Sequence, residues 1–138
     1  MTNVNSFNQK IIAEFRTNGG RVGGQFANTP LLLLTTTGAK SGQPRTNPVA
    51  YTTDGDHLVI IASKGGAPTH PDWYHNIKAN PTVTVERGRE QFQARAVVAE
   101  GAERDRLFNQ MAEVMPGFAD YQRNTARQIP VIVLERMG

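Results

Sequence analysis

Apolar positions along this chain recur with two different periods, and the changes between them divide it into elements. Phe7, Ile11, Ile12 and Phe15 fall near i, i+4, i+5 and i+8, with Gln9, Lys10, Glu14 and Arg16 between them. That spacing predicts an amphipathic helix over residues 5–17. Asn18-Gly19-Gly20 ends it, and the four glycines of Gly19–Gly24, set around Arg21 and Val22, read as a flexible crossing segment. No strand precedes those glycines and no helical pattern follows, so they make no dinucleotide fingerprint. The period then shortens. Leu31–Thr37, Thr46–Thr53 and His57–Ser63 are short apolar and β-branched runs, with Asp54-Gly55-Asp56 supplying hairpin-turn chemistry between the last two. Pro71–Lys78 reads as a short helix, opened by Pro71 and Asp72 and stopped by Asn80-Pro81. Thr82–Arg87 and Glu90–Ala99 form a hairpin around Gly88, each alternating so that one face stays dry.

Helical spacing returns at residues 102–115. Leu107, Phe108, Met111, Val114 and Met115 are expected to face inward, and Glu103, Arg104, Asp105 and Arg106 outward. Pro116-Gly117 breaks this helix, a third short one carries Phe118, Tyr121 and Thr125, and Pro130 introduces a last strand, Val131–Leu134. Six strands grouped in hairpins, with helices outside that order, predict an α+β domain on a small antiparallel barrel rather than a doubly wound parallel sheet. The length of 138 residues suits a single domain over 1–138. Whether the first 25 or so residues, the helix and its glycine-rich tail, are ordered without ligand is left open by the sequence.

Composition narrows the chemistry. The chain has no cysteine, which removes disulfides, thiolate zinc sites and cysteine nucleophiles and fits a cytosolic protein. The N-terminus lacks a signal-peptide layout, and no apolar run approaches the ~20 residues that span a bilayer. Fifteen Lys plus Arg against twelve Asp plus Glu give a net charge of +3, spread along the chain. So mild a charge favours a small anionic ligand and does not call for nucleic acid.

His57, His70 and His75 fall on a strand, a loop and a helix, without the spacing of a metal site, so no metal is expected. Asp54 and Asp56 flank a turn glycine, where carboxylates are usual, and neither Ser41 nor Ser63 lies in a nucleophile elbow. What remains is the glycine-bounded basic turn Gly38-Ala39-Lys40-Ser41-Gly42-Gln43-Pro44-Arg45, directly after the first strand. Its glycines allow a tight turn that presents backbone N–H groups, Lys40 brings a point charge, Ser41 a hydroxyl and Arg45 a planar fork. This is an anion cradle. A second polar loop, Ala62-Ser63-Lys64-Gly65-Gly66, precedes a helix start at Pro71-Asp72-Trp73-Tyr74-His75-Asn76. The free N–H groups of that helix and the flat face of Trp73 complete a pocket for a flat, phosphorylated cofactor; a plain core role for Trp73 is the competing reading.

Taken together, Thr35–Pro48, Ala62–Ala67 and Pro71–Asn76 with Ala79-Asn80-Pro81 resemble, in order and spacing, the actinobacterial deazaflavin-dependent nitroreductases. The resemblance runs from about residue 5 to residue 136. It implies a split β-barrel related to flavin-binding proteins, and the 8-hydroxy-5-deazaflavin coenzyme F420, whose phosphodiester, carboxylate link and oligoglutamate tail suit the cationic turn. By matching position, Ala39, Lys40, Ser41 and Arg45 would hold the phosphate and tail, with Thr46, Asn47, Pro48, Val49 and Ala50 running on beside the ring. Ile61, Ala62, Ser63 and Lys64 would line the deazaflavin, and Asp72, Trp73, Tyr74, His75 and Asn76 would close the site.

Reduced deazaflavin donates hydride from its C5 carbon, so the protein's task is to hold that carbon against an acceptor, exclude water and stabilise developing charge. Ser63 and Tyr121 are the candidate catalytic hydroxyls, and Ala50, Phe118 and Tyr121 the candidate acceptor contacts. The nitroreductases carry two tyrosines in the segment matching Met115–Tyr121 and a larger aromatic at Ala50; here position 118 is Phe. A lost donor and a wider pocket shift the acceptor away from bicyclic nitroimidazole prodrugs and leave cofactor binding as it is, while the resemblance implies a quinone-like or nitro-compound acceptor. An FMN-binding split-barrel enzyme and a deazaflavin or flavin carrier without turnover are the alternatives. The N-terminal helix and an apolar acceptor also allow loose contact with a membrane, against the commoner outcome in which Phe7, Ile11 and Phe15 pack on the core. Physiological acceptor and oligomeric state stay open.

Overall fold

The computed structural model describes residues 4–23 and 30–137. In chain order the elements are α1 (Val4–Thr17), β1 (Leu31–Thr37), β2 (Pro44–Asp54), β3 (His57–Ile61), a 3-10 turn (Lys64–Gly66), α2 (Asp72–Ala79), β4 (Thr82–Arg87), β5 (Glu90–Val98), α3 (Gly101–Val114), α4 (Gly117–Arg123) and β6 (Val131–Arg136). The strands close into an antiparallel barrel in the order β1-β2-β3-β6-β5-β4, the expected architecture.

Pattern along each strand records what covers it. Leu31–Leu34 are all buried because β1 has a dry environment on both faces. Leu32 and Leu34 enter the barrel interior with Val49, Leu58, Ile60, Ile132 and Leu134. Leu31 and Leu33 lie on the outer wall under α1, against Phe15 and Val22. β3 repeats the arrangement: Leu58 and Ile60 point inward, while Val59 and Ile61 meet Leu107, Phe108 and Met111 of α3. By contrast β4 and β5 alternate, with Val83, Val85, Ala94 and Ala96 inside and Gln91, Gln93 and Arg95 exposed, because none of the described helices covers them. Each fully buried Leu or Ile contributes roughly 1.5–3 kcal/mol, so the covered strands carry most of the apolar stabilisation.

Several local expectations change. Arg104, expected outward on α3, is buried at 7% exposure. Its guanidinium donates twice to the Ile129 carbonyl, at 3.1 and 2.6 Å, and once to Gln122 Oε1 at 2.8 Å, and it lies over the Phe108 ring. Those acceptors belong to α4 and the segment entering β6, so only tertiary packing makes a buried cation favourable there. Val114, expected inward, is 58% exposed at the end of α3. Thr125 lies beyond α4. The third strand stops at Ile61, two residues early, where the chain turns into the 3-10 segment. After α1, Gly20 has φ +98° and sits so close to the β4–β5 turn that a Cβ would come within 2.6 Å of Gly88 Cα. Val22 is buried and the Gly23 amide donates to Glu14 at 2.6 Å, so the chain is docked through Gly23. Gly24 lies outside the described residues, so the expected crossing segment is seen only in its first part.

Strand direction decides which loops meet. β1 and β3 are both antiparallel to β2, so they run the same way. The loops that leave them therefore emerge at one end of the barrel, as do the segments that enter β4 and β6. α2 closes that end, with Trp73 and Ile77 in the interior cluster.

Candidate active site

The Gly38–Arg45 turn is already folded around its own hydrogen bonds. Gly38 N–H donates to the Gln43 carbonyl at 2.8 Å, Gly42 N–H to the Gly38 carbonyl at 3.0 Å, and Gln43 N–H to Ser41 Oγ at 3.1 Å. Ala39 N–H is taken by Asn76 Oδ1 at 2.9 Å, and Asn76 Nδ2 in turn donates to Thr36 Oγ1 at 3.1 Å. Four of the backbone donors expected to face an anion are therefore spent inside the turn. Gly38 is glycine because a Cβ would meet Ser41 Oγ at 2.5 Å, and Gly42 because its φ is +70°. Anion attraction then falls to the exposed Lys40 and Arg45 side chains, neither of which has an acidic partner among the described residues. Two unpaired cations on a rigid turn fit a phosphate or carboxylate group.

The second loop is pinned by a residue that local sequence did not single out. Arg127, in the segment between α4 and β6, donates to the carbonyls of Ala62 at 3.2 Å, Ser63 at 2.7 Å and Ala67 at 3.0 Å, and its Nη1 contacts His70 Nδ1 at 2.9 Å. Gln122 of α4 receives the Ile129 amide at 2.9 Å and donates to the Arg127 carbonyl at 2.8 Å, so α4 and this loop form one hydrogen-bonded unit. Burial lowers the Arg127 pKa, as it does for any cation drawn from water. Ser63 is 8% exposed and makes no side-chain cap bond to the 3-10 turn, which leaves its hydroxyl available. Lys64 follows in the left-handed region at φ +48°, rare for a residue with a Cβ, and its Nζ donates to Thr69 Oγ1 at 3.3 Å.

The acceptor-side residues join this loop from outside the barrel. Phe118 and Tyr121 meet edge to face, with centroids 5.6 Å apart, and pack in the cluster that holds Ile61. A Cβ on Gly66 would come within 3.2 Å of the Tyr121 backbone, so α4 rests directly on the 3-10 turn. On β2, Tyr51 pairs with Ile60, which sets Ala50 beside Ile61 at the next step. Ala50 shares the outer wall with Pro48 and Thr46, since these pair with Leu31, Leu33 and Thr35. The outer wall of β2, where Ala50 also packs against the α1 cluster of Phe15 and Val22, runs through the Ala50–Ile61 pairing to the Ala62–Gly66 loop and to Tyr121 as one half-buried surface.

Not every candidate faces it. Val49 lies in the barrel interior with Leu32, and Trp73 and Asn76 are buried on α2 at 8% and 7% exposure. All three are turned away from the outer wall of β2. Asn47, opposite the interior-facing Leu34, alternates to the other side of β2 from Pro48. Asp72 and His75 are exposed and Tyr74 is half-buried. His70, Tyr74 and His75 form a ring cluster, with His70 and Tyr74 centroids 4.6 Å apart. α2 and its preceding loop therefore bridge the two polar loops, from Ala39 through Asn76 to Tyr74, His70, Arg127 and Ser63. His57 starts β3 at the opposite end of the barrel. A groove of about 210 Å³ at that far end, lined by Phe15, Arg16, Glu86 and Arg89 among others, contains none of the predicted site residues.

Comparison with known proteins shows the family of the chain. The family model of the F420H(2)-dependent quinone reductases matches residues 8–136. The chain belongs to that family. An F420H(2)-dependent quinone reductase of Mycobacterium tuberculosis is 44% identical over 128 residues, which cover 90% of this chain and 86% of the relative. Among solved structures, an F420-H2 dependent reductase (FDR-A) is 44% identical with a TM-score of 0.71 over 77% of this chain and 94% of that one. A second, described as a domain-swapped dimer, is 39% identical with a TM-score of 0.73 over 94% of this chain and 96% of that one. The fold, the cofactor and the reductase class implied by the three motifs thus agree with the family.

Proposed function

We propose that this chain reduces a quinone with F420H2 on the outer wall of β2, between the Lys40–Arg45 turn and the Tyr121 end of α4. The observation that carries the placement is the pair of cations, Lys40 and Arg45, with no acidic partner among the described residues, on a turn fixed by its own hydrogen bonds and by Asn76. Such a turn attracts the phosphate and glutamate tail without reorganising. Thr46, Pro48 and Ala50 would hold the ring system, and the Ala62–Ser63–Lys64 backbone would border it. The bound deazaflavin supplies a hydride equivalent, and the quinone takes up that hydride and one proton. The Ser63 hydroxyl, free of a cap bond, donates toward the reacting end. Tyr121 offers its phenol to the acceptor oxygen, and Phe118 and Ile61 exclude water. With Ala at position 50 and Phe at 118, the acceptor side is wide and apolar. That suits a flat quinone better than an acceptor that needs a second hydroxyl donor, and nitro compounds are the weaker substrates.

Fluorescence titration with F420 and with FMN, on wild type, Lys40→Ala and Arg45→Ala, tests the placement. A charge-assisted contact is worth about 1.5–3 kcal/mol, so each variant should bind F420 roughly 10- to 100-fold more weakly. Wild-type affinity in both variants would refute the placement. Oxidation of F420H2 with menadione and with a nitroaromatic then reads the acceptor preference; tight binding with no acceptor-dependent rate would make the chain a carrier.

A further inference from the structure

We propose that Arg127 is a positioning residue for the cofactor edge, holding the Ala62–Ala67 backbone in its ligand-ready shape through a fork whose fourth arm is the His70 imidazole. This rests on the placement of the cofactor given above. Three carbonyls, those of Ala62, Ser63 and Ala67, converge on one guanidinium that reaches them from the other side of the site. No other described side chain donates to these three carbonyls. A lysine cannot replace the fork, because its single ammonium does not span acceptors set along the six residues from Ala62 to Ala67.

The His70 contact gives the device a proton dependence. Arginine has no acceptor, so at 2.9 Å from Arg127 Nη1 the His70 Nδ1 must accept, and the ring must be neutral with its proton on Nε2. Protonation at Nδ1 removes that acceptor and sets two cations against each other. The groups that face His70 are Arg127 from the segment before β6, Tyr74, His75 and Lys78 from α2, and, on its own loop, Lys64 bonded to Thr69. Burial first, then the charges of Arg127, His75 and Lys78, hold the His70 pKa below its ordinary value. The unfolded chain therefore takes the proton first as pH falls below about 6.5, and the interaction weakens from there down through the folded value.

Amide protection of Gly66 and Ala67 in the cofactor-free protein, together with F420 affinity, tests this at pH 7.5 and 5.5. Wild type should lose protection and affinity roughly tenfold between the two pH values, the scale of one charge-assisted hydrogen bond. Arg127→Lys should show a loss of that size already at pH 7.5. In His70→Gln, whose side chain keeps a neutral acceptor at both pH values, the ratio between them should fall to about one. Protection and affinity in Arg127→Lys within twofold of wild type would overturn the proposal, as would an acid-side loss in His70→Gln equal to that of wild type. If Arg127→Lys does not fold, the pH series on wild type and His70→Gln decides alone. Should wild type bind no F420, the proposed function fails, while the protection factors still decide the role of Arg127.

Discussion

Replacing Asn76 by Leu tests whether the anion turn is held by α2 or only by itself. The side chain is 7% exposed and makes two bonds, accepting from Ala39 N–H at 2.9 Å and donating to Thr36 Oγ1 at 3.1 Å. Leucine is close in volume and sits among Trp73 and Ile77 at the barrel end, so the loss is polar rather than steric. Thr36 is 1% exposed, so its hydroxyl loses a partner that water cannot replace, at a cost of about 1–3 kcal/mol. The Ala39 amide belongs to an exposed residue and can turn to water, which limits its share to about 0.5–1 kcal/mol. Together these destabilise by about 1.5–4 kcal/mol, and at roughly 4 °C per kcal/mol, the value between the ranges for smaller and larger domains, the midpoint falls by about 6–16 °C. Urea and thermal unfolding measure it. F420 affinity should fall roughly tenfold as well, because Lys40 then hangs from a looser turn. A midpoint within 1 °C of wild type, with unchanged affinity, would show that the Asn76 bonds contribute nothing net and that the turn is self-sufficient.

Trp73→Ala should cost about 3–5 kcal/mol by urea unfolding, the range for removing a large buried aromatic; a large loss of F420 affinity at unchanged stability would instead make Trp73 a cofactor contact. Gly66→Ala combines a φ of +84° with a Cβ 3.2 Å from the Tyr121 backbone, so it should cost about 1–3 kcal/mol and, by displacing α4, raise KM for the quinone more than for F420H2. Steady-state kinetics with both substrates would expose the opposite ordering. Lys64→Gly relieves a left-handed residue and should raise stability by about 0.5–1 kcal/mol while weakening F420 binding; a lower unfolding midpoint would mean that the Lys64 contact to Thr69 outweighs the strain.

Element type and order were legible along the chain because they follow from local rules. The two β-hairpins needed only glycine-centred turns between alternating runs, and Gly55 and Gly88 both have φ of +60°. Leu31–Thr37 and Thr82–Arg87 match the expected strands residue for residue. The motif set, Lys40 to Arg45, Ser63 to Gly66 and Trp73 to Asn76, was sufficient to identify the family, since only a shared site explains three weak motifs in fixed order.

Which side of each element does the work was not legible. Period-2 alternation assigns neighbours in β2 to opposite faces, but the list of neighbours from Thr46 to Ala50 does not say which face meets ligand until α1 and α4 are placed. Trp73 and Asn76 read from the sequence as ligand contacts at a helix start, but that both are turned toward the barrel end, and that Asn76 makes two hydrogen bonds there, is visible only once the helix is packed. Arg104 and Arg127 lie in polar stretches that read as solvated, because their acceptors are backbone carbonyls up to 65 residues away in sequence. Backbone acceptors carry no sequence signature. The sequence thus determined the elements and the cationic turn, which follow from residue type and spacing, and the cofactor class through the family resemblance that its three motifs carry. Barrel closure decided the rest, because it alone brings the loops after β1 and β3 to one end, where Asn76 holds the first and Arg127 the second.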